Sequence, residues 1–324
     1  MSSETAKVIY MELQKKQMAE AALLYYEKKY TQTKVAEIMN LSRQTVSKLL
    51  AEAVNEKIVE IKINNPEIVC AELEKAICDK FKIKTAIVCG VSADNQNLCT
   101  LMTVKKAAAY ILSQAETGGL KIGISWGRTI QMLIDEFPHV TSKNNVIFPL
   151  FGATNQEQSC FSSNELARSF ADKTGSKVKY AWFPYRPDCV DDCRLFKKTS
   201  YYKELAELWN NIDLAVVGIG NYSIIQTFGE IFGYNQKFSA VTGDISTHFF
   251  NYSGEFTDLY ENTLCASREN LLNAKNTIAI ACGADKTEAI IGALRTKTID
   301  TFITDEYTAS SILSAISKED AALS

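Results

Sequence analysis

Four polar side chains in the stretch 31–50 have the types and the spacing that suit contact with DNA: Arg43, Gln44, Ser47 and Lys48. They fall on one face of a predicted helix, where two cations and two hydrogen-bonding groups can reach base edges or phosphates. The stretch predicts a double-stranded DNA contact made by two short helices, with these residues: Gln32, Thr33, Ser42, Arg43, Gln44, Thr45, Ser47 and Lys48.

The elements that must position these side chains are two short helices joined by a tight turn. Asn40 tolerates the left-handed backbone conformation that such a turn needs, and Ser42 is a good N-cap for the second helix. The inward faces repeat at the helical period: Val35, Ala36, Ile38 and Met39, then Val46, Leu49 and Leu50. This layout is typical of a helix-turn-helix DNA reader, and the alternative is a pair of surface helices with a polar outer face.

The surrounding residues predict a small N-terminal domain. A helical pattern over 5–29 would complete a three-helix core, and the alternation in 58–63 predicts a strand, as in a winged helix-turn-helix. Asn64, Asn65 and Pro66 break regular structure. We therefore expect a DNA-binding domain at 1–63 and a second domain at 64–324 that binds an effector and forms oligomers.

The charge is divided unevenly between these two regions. Residues 1–63 hold ten Lys and Arg against eight Asp and Glu, whereas the remainder holds 25 against 30. The sign suits a DNA-binding head on an acidic body. Because the head is only weakly basic, we expect a dimer or tetramer that binds two half-sites together.

The second region alternates short apolar strands with helices. Strands are expected at 85–89, 120–124, 145–150, 179–183, 213–219, 277–281 and 301–304, with helices between them. Repeated strand–helix units of this kind predict an α/β domain with a doubly wound, mostly parallel sheet.

Gly, hydroxyl and charged residues recur where the predicted strands end, which is where such sheets bind ligands. The loop 123–129 joins two glycines, two hydroxyls and Arg128 at a strand-to-helix turn, so its N–H groups would cradle an anion. A glycine-enabled tight turn is the alternative. Further candidates follow at 151–155, 218–220, 281–286 and 304–306, and Asp244 offers an acceptor for sugar hydroxyls.

Together these segments resemble the SorC-type transcriptional regulators of bacterial sugar catabolism. The segments that carry the resemblance are the sequence from AALLYYEKKY to NEKIVEIKI, followed by GISWGRT, VIFPLFGATN, DLAVVGIG, GDI, IAIACGADKTEAIIGALR and TDE. The resemblance implies a winged helix-turn-helix head, an effector domain related to sugar-phosphate isomerases, assembly as dimers or tetramers, and a phosphorylated sugar that adjusts operator binding.

The same resemblance implies an effector site by position. Some relatives carry a basic residue before the glycine of the second loop, where this chain has Phe151. The implied phosphate contacts are Gly123, Ser125, Gly127, Arg128 and Thr129, with Gly152 and Ala153 on the facing loop. The implied contacts with the sugar are Asp244 and Lys286, with Glu306 near them.

Other classes of protein have little support in the sequence. His139 and His248 lie near no Ser or Cys nucleophile motif, and no Walker A or GxGxxG pattern is present, so we expect no catalysis and no cofactor. No apolar run approaches the roughly 20 residues that span a bilayer. The first residues lack the pattern of a secretory signal. We therefore expect a cytoplasmic protein with no membrane partner.

Two alternatives remain open. One is a sugar-phosphate isomerase or deaminase with an added DNA-binding head, whose base would be Asp244, Asp305 or Glu306. The other is a metal-linked redox sensor built on Cys189 and Cys193. Their spacing matches no structural zinc pattern, and the nine cysteines are otherwise typical of reduced, buried side chains, so no metal is expected.

Overall fold

The computed structural model describes residues 3–59, 70–90, 95–115, 118–141, 144–154, 162–221, 241–257 and 262–323. Its contacts separate the chain into two compact units, Met1–Pro66 and Glu67–Ser324. The predicted linker 64–66 and residues 60–63 of the predicted wing strand lie outside the described residues.

The N-terminal unit packs three helices around one small core. They are α1 (Ser3–Ala22), which ends in a π-helical turn (Leu23–Glu27), α2 (Gln32–Met39) and α3 (Arg43–Asn55). Val35, Val46 and Ala53 are among the side chains buried at its centre. Ile58 and Val59 fold back on α3, where both N–H groups donate to the Ala53 carbonyl.

The turn between α2 and α3 has the geometry that its residues predict. Asn40 adopts φ 52° and ψ 43°, in the left-handed region, and its N–H closes the end of α2. The Ser42 hydroxyl then accepts the Thr45 N–H at 3.0 Å and so caps α3. The Thr31 hydroxyl caps α2 in the same way, at 3.3 Å from the Lys34 nitrogen. Side-chain hydrogen bonds therefore fix the start of both helices.

The C-terminal unit is built on a sheet of seven parallel strands. In spatial order they are β1 (Thr85–Cys89), β10 (Thr301–Asp305), β9 (Asn276–Ile280), β5 (Leu214–Asn221), β2 (Lys121–Ile124), β3 (Val146–Pro149) and β4 (Lys177–Val178). Three short antiparallel strands continue from the end of β5: β6 (Gly243–Ile245), β7 (His248–Phe250) and β8 (Phe256–Thr257). The described sheet is thus mostly parallel, as predicted.

Helices cover this sheet in two groups. The first group, α5 (Gln96–Ala115), α6 (Arg128–Glu136) and α7 (Ser163–Thr174), packs side by side. The second group is α4 (Ala71–Phe81), α11 (Thr287–Arg295) and α12 (Glu306–Leu323). Successive residues of β5, β9 and β10 are buried, as expected for central strands whose two faces are both covered. Three further helices are α8 (Val190–Phe196), α9 (Ser200–Trp209) and α10 (Arg268–Leu272).

The predicted strand at 179–183 is wrong. The ladder on β3 consists of Lys177 and Val178 only, and the chain then leaves the sheet edge with Trp182 64% exposed. Pro149 ends β3 and has no N–H to donate, which stops the ladder from continuing. Beyond it, Ala153 exchanges backbone hydrogen bonds with Phe183 and Tyr185 instead.

Candidate functional site

A cavity of about 310 Å³ opens at the carboxyl ends of β2, β5 and β9. The chain runs outward from β2 through β3 to β4 on one side, and from β5 through β9 to β10 on the other. The strand order therefore reverses between the adjacent strands β2 and β5, and such a switch point is where open α/β sheets bind ligands. Ten of the seventeen described lining residues have polar or charged side chains: Gln96, Asn97, Thr100, Ser125, Arg128, Thr129, Asn221, Asp244, Asp285 and Lys286. The others are Trp126, Gly127, Met132, Gly218, Ile219, Gly220 and Cys282.

The loop after β2 forms the wall that suits an anion. The Ser125 N–H donates to the Val216 carbonyl at 2.9 Å, which fixes this loop to the neighbouring strand β5. Gly127 follows with φ 108°, a conformation that side chains rarely adopt, and α6 begins at the next residue. The first N–H groups of a helix have no partner within it, and here they are at the cavity beside Arg128 and Thr129.

Asp244 and Lys286 form a polar pair within the cavity. Asp244 is buried, and its Oδ2 accepts the Thr247 N–H at 3.2 Å. Burial raises the pKa of this carboxyl to about 6, while the Thr247 N–H and the Lys286 charge act in the opposite direction. The Lys286 Nζ donates to the Ile219 carbonyl at 3.2 Å. The cavity thus contains a buried carboxyl and a lysine, which are groups that can hydrogen-bond with hydroxyls.

Asp285 holds together the outer wall of the cavity. It lies in a 3-10 turn (Ala284–Lys286) after β9. Its Oδ1 accepts from the Gln96 side chain at 3.3 Å, and its Oδ2 accepts from the Asn221 side chain at 3.0 Å. Gln96 begins α5 and Asn221 ends β5, so one carboxylate links two separate elements.

Behind this wall, Cys282 contributes a thiol to the lining. Its Sγ donates to the Thr100 hydroxyl at 3.2 Å, and burial raises the pKa of the thiol. A raised pKa lowers the thiolate fraction, which is the nucleophilic form. Cys282 is therefore suited to packing rather than to covalent chemistry.

The cavity brings together six of the ten residues predicted for the effector: Ser125, Gly127, Arg128, Thr129, Asp244 and Lys286. Among the described residues the other four do not line it. A Cβ on Gly123 would lie 2.5 Å from Leu150 Cδ2, and one on Gly152 would lie 2.5 Å from the Pro184 backbone. These two glycines therefore permit close packing instead.

The other two predicted residues are held in different surroundings. Ala153 forms a backbone bridge with Pro184. Glu306 begins α12, where its carboxylate adds to the effect of burial in raising the pKa of the Cys70 thiol. Asn155, the last residue of the predicted second loop, lies outside the described residues.

The prediction of the site omitted several lining residues. Gln96, Asn97 and Thr100 come from the start of α5, whose sequence marks only an amphipathic helix. Asn221 was also omitted, whereas Asp285 lies within the candidate segment 281–286 without having been given a role. The sequence shows which residues follow a buried strand. It does not show which of their side chains meet at one cavity.

Phe151 is part of a buried aromatic cluster. Its ring meets Trp126 edge to face at 5.9 Å between centroids, and meets Tyr185 at 5.8 Å. Phe151 is 1% exposed. Phe151 therefore serves aromatic packing in the core.

The N-terminal unit carries the residues predicted to contact DNA on its surface. All are exposed except Gln32, which is half-buried. Lys48 lies 3.8 Å from Glu52 one turn on, and Arg43 borders an open groove with Tyr25, Tyr30 and Thr33. Polar, cationic side chains thus stand outward on the start of α3, while Val46, Leu49 and Leu50 face the core.

Cys189 and Cys193 lie in different environments. Cys189 is exposed and caps α8, whereas Cys193 is buried and donates to the Thr263 carbonyl at 3.8 Å. Within the described residues, no three His, Cys, Asp or Glu side chains are grouped in a way that would hold a metal ion. In the same part of the chain, no helix is long and apolar enough to cross a membrane.

The fold and cavity define a class of ligand-binding α/β module, and comparison with known proteins gives the family. A family model described as "Putative sugar-binding domain" matches residues 65–314. The sorbitol operon regulator of Klebsiella pneumoniae is 28% identical over 305 residues, covering 90% of this chain and 96% of that one. The deoxyribonucleoside regulator of Bacillus subtilis is 25% identical over 311 residues, covering 94% and 99%.

Solved structures agree with these relatives. The crystal structure of the full-length sorbitol operon regulator SorC from Klebsiella pneumoniae matches with a TM-score of 0.73 and 27% identity, covering 91% of this chain and 97% of that one. A DeoR family transcriptional regulator from Listeria monocytogenes matches with a TM-score of 0.67 and 27% identity, covering 75% and 98%. The chain belongs to the SorC-type family of transcriptional regulators with a sugar-binding domain.

Proposed function

We propose that this protein is a cytoplasmic DNA-binding transcriptional regulator of carbohydrate catabolism whose operator binding is modulated by a sugar or sugar phosphate. The observation that carries the proposal is the cavity at the switch point. There a helix start suited to an anion faces a buried acid and a lysine suited to hydroxyls. Family membership and the names of the relatives support the same function.

The N-terminal unit is the proposed DNA reader, as a helix-turn-helix. The capped start of α3 would enter the major groove, and the exposed Arg43, Gln44 and Ser47 would contact bases or phosphates. Because the unit is weakly basic, two units in a dimer or tetramer would share one operator. The effector would shift the population between binding-competent and incompetent states.

An enzyme is the second candidate, and one observation favours it. Asp244 lies buried in the cavity with a pKa raised to about 6, which suits a general base near neutral pH. We favour the regulator because this carboxylate already accepts the Thr247 N–H and so serves as a fixed acceptor.

The test is a DNA-binding titration with purified protein. Operator fragments are first selected from random-sequence DNA, and fluorescence anisotropy then measures affinity with and without a panel of sugar phosphates. We expect nanomolar to micromolar binding that at least one sugar phosphate changes several-fold. Measurable isomerisation or deamination of the same sugar phosphates would favour the enzyme, and the absence of any selected DNA would overturn the regulator.

A further inference from the structure

The two ends of the cavity differ in charge. At the β2 end, Arg128 and the N-terminus of α6 offer positive charge. At the β9 end, Asp285 offers a carboxylate whose two oxygens accept from amides rather than from a cation. The cavity is therefore polarised along its length.

The sheet sets the distance between these ends. β9, β5 and β2 are consecutive neighbours. Neighbouring strands lie roughly 4.8 Å apart, so the ends of β9 and β2, from which the two loops start, are separated by about 10 Å. This separation suits the extended length of a phosphorylated sugar or polyol of five or six carbons, with its phosphate at one end and a hydroxyl at the other.

Lys286 follows Asp285 at the β9 end, but its side chain reaches β5 and is engaged within the protein. The Lys286 Nζ donates to the Ile219 carbonyl, and its charge acts on Asp244. Lys286 is thus placed to serve the middle of a ligand rather than to neutralise a second anion beside Asp285. At the outer wall, the carboxylate orients the Gln96 and Asn221 amides, which are groups that recognise neutral hydroxyls.

From this arrangement we propose that the effector carries a single phosphate, and that Asp285 is a specificity-determining residue that holds its hydroxyl end and rejects a second phosphate. The proposal rests on the proposed function, because it concerns the effector of that same site. Its physical basis is like-charge repulsion, which excludes a competitor as effectively as new contacts favour the correct ligand. For a phosphate dianion within about 5 Å of a carboxylate in a water-like dielectric, this repulsion reduces affinity about tenfold.

The experiment compares matched pairs of ligands on the full-length chain. Isothermal titration calorimetry measures the dissociation constant of each ligand. The pairs are ribose 5-phosphate with ribose 1,5-bisphosphate, and the 6-phosphates of fructose and of glucose with their 1,6-bisphosphates. For at least one pair we expect the monophosphate to bind about tenfold tighter than the bisphosphate. The Asp285→Asn variant keeps the shape and removes the charge, so it should bring the two affinities of that pair within about twofold.

The matched control is Glu288→Gln, which removes a negative charge from an exposed residue three positions further on that does not line the described cavity. It should leave the ratio of the two affinities unchanged. The proposal is overturned if, in every pair with measurable binding, the bisphosphate binds the unaltered protein as tightly as its monophosphate, if Asp285→Asn leaves the ratio of a discriminating pair unchanged, or if no monophosphate of the panel binds.

DNA binding separates the failure of this inference from the failure of the proposed function. If the panel fails while selected DNA still binds, the inference falls and the DNA-binding part of the function stands. If the monophosphate preference and its loss in Asp285→Asn are observed without any DNA binding, the inference stands and the regulator is wrong.

Discussion

The backbone N–H of Thr247 donates to the carboxylate of Asp244 at 3.2 Å, across the tight turn that joins β6 to β7. Ser246 and Thr247 occupy this turn with φ of 48° and 73°, although neither is glycine. For a β-branched residue such as threonine this conformation is strained. The buried acid therefore does two things: it lines the cavity and it stabilises a strained turn.

Asp244 should make the stability of the protein depend on pH. Its carboxyl has a pKa of about 6 in the folded protein, against 3.8 ordinarily. The folded state then binds more protons than the unfolded state between pH 4 and 6, so stability falls as pH rises through this window. The change is about 2 to 3 kcal/mol.

Thermal or urea unfolding of the unaltered protein and of Asp244→Asn, measured from pH 4 to 7, checks this prediction. Asparagine keeps an acceptor for the Thr247 N–H but does not titrate there. The stability of Asp244→Asn should therefore not fall between pH 4 and 6. Equal slopes in the two proteins would show that Asp244 does not cause the dependence.

Lys286→Met should abolish the response to the effector while leaving DNA affinity unchanged in its absence. The substitution removes the cation of the cavity and keeps most of the apolar stem. Anisotropy with selected DNA, with and without the active sugar phosphate, measures both quantities. Lys84→Met is the control, since Lys84 pairs with Asp300 at 2.8 Å on the surface of the same unit. A normal response in Lys286→Met would remove this residue from the site.

Arg43→Ala should weaken operator binding by about 1–3 kcal/mol if Arg43 contacts a base or a buried phosphate. Titrations at several salt concentrations separate these two cases, because a phosphate contact also lowers the salt dependence. Lys34→Ala is the control in the same unit: Lys34 is paired with Glu37 at 2.9 Å and should matter little. Equal affinities for Arg43→Ala and the unaltered protein would place Arg43 outside the interface.

Asn40→Ala should destabilise the N-terminal unit by about 1 kcal/mol, because alanine is disfavoured in the left-handed region that this turn requires. Asn40→Gly should be close to neutral, since glycine adopts this conformation without strain. Hydrogen exchange of amides in α2 and α3 reports the local stability. Similar losses in both variants would indicate that the Asn40 side chain, and not its backbone conformation, is what matters.

Phe151→Lys should destabilise the C-terminal unit by about 3 kcal/mol or more, because it places a charge within the cluster of Trp126 and Tyr185. Phe151→Leu, which keeps an apolar side chain, should cost about 1–2 kcal/mol. Urea unfolding measures both. A lysine variant as stable as the leucine variant would mean that this position accepts a cation despite its aromatic surroundings.

The parallel sheet could be predicted from the sequence because its strands are continuous apolar runs set between amphipathic helices. The predicted strand 85–89 coincides with β1, and most other strands agree within two residues. The length of each apolar run and the period of the helices were enough to predict these strands, since a strand buried on both faces has to be apolar throughout. The strand-to-helix turn at 123–129 was also recognisable, because glycine is typical of a turn that needs a positive φ, as Gly127 does here.

The three antiparallel strands β6, β7 and β8, with the tight turn between β6 and β7, could not be predicted in the same way. Its strands have two or three residues each, too few for a periodic signal. Its turn also lacks the Asn-Gly or Gly-Gly pair that usually marks two left-handed positions, and has Ser246 and Thr247 instead. The outer wall was predicted only in part for a related reason: Asp285 lies in a candidate segment, but Gln96 is 189 residues away in sequence and meets it only through the fold.

The central strand β5 changes partners along its length. Residues from Leu214 to Gly218 pair with β9, and Ile219 to Asn221 pair with β6, where Gly220 is opposite Asp244. The pairing of β5 with β6 thus fixes the position of the buried Asp244 in the cavity. Shifting that pairing by one residue would turn Asp244 to the other face of the sheet. Side chains around the cavity can therefore be exchanged without moving Asp244, whereas a change in the length of β5 would take the buried acid out of the cavity.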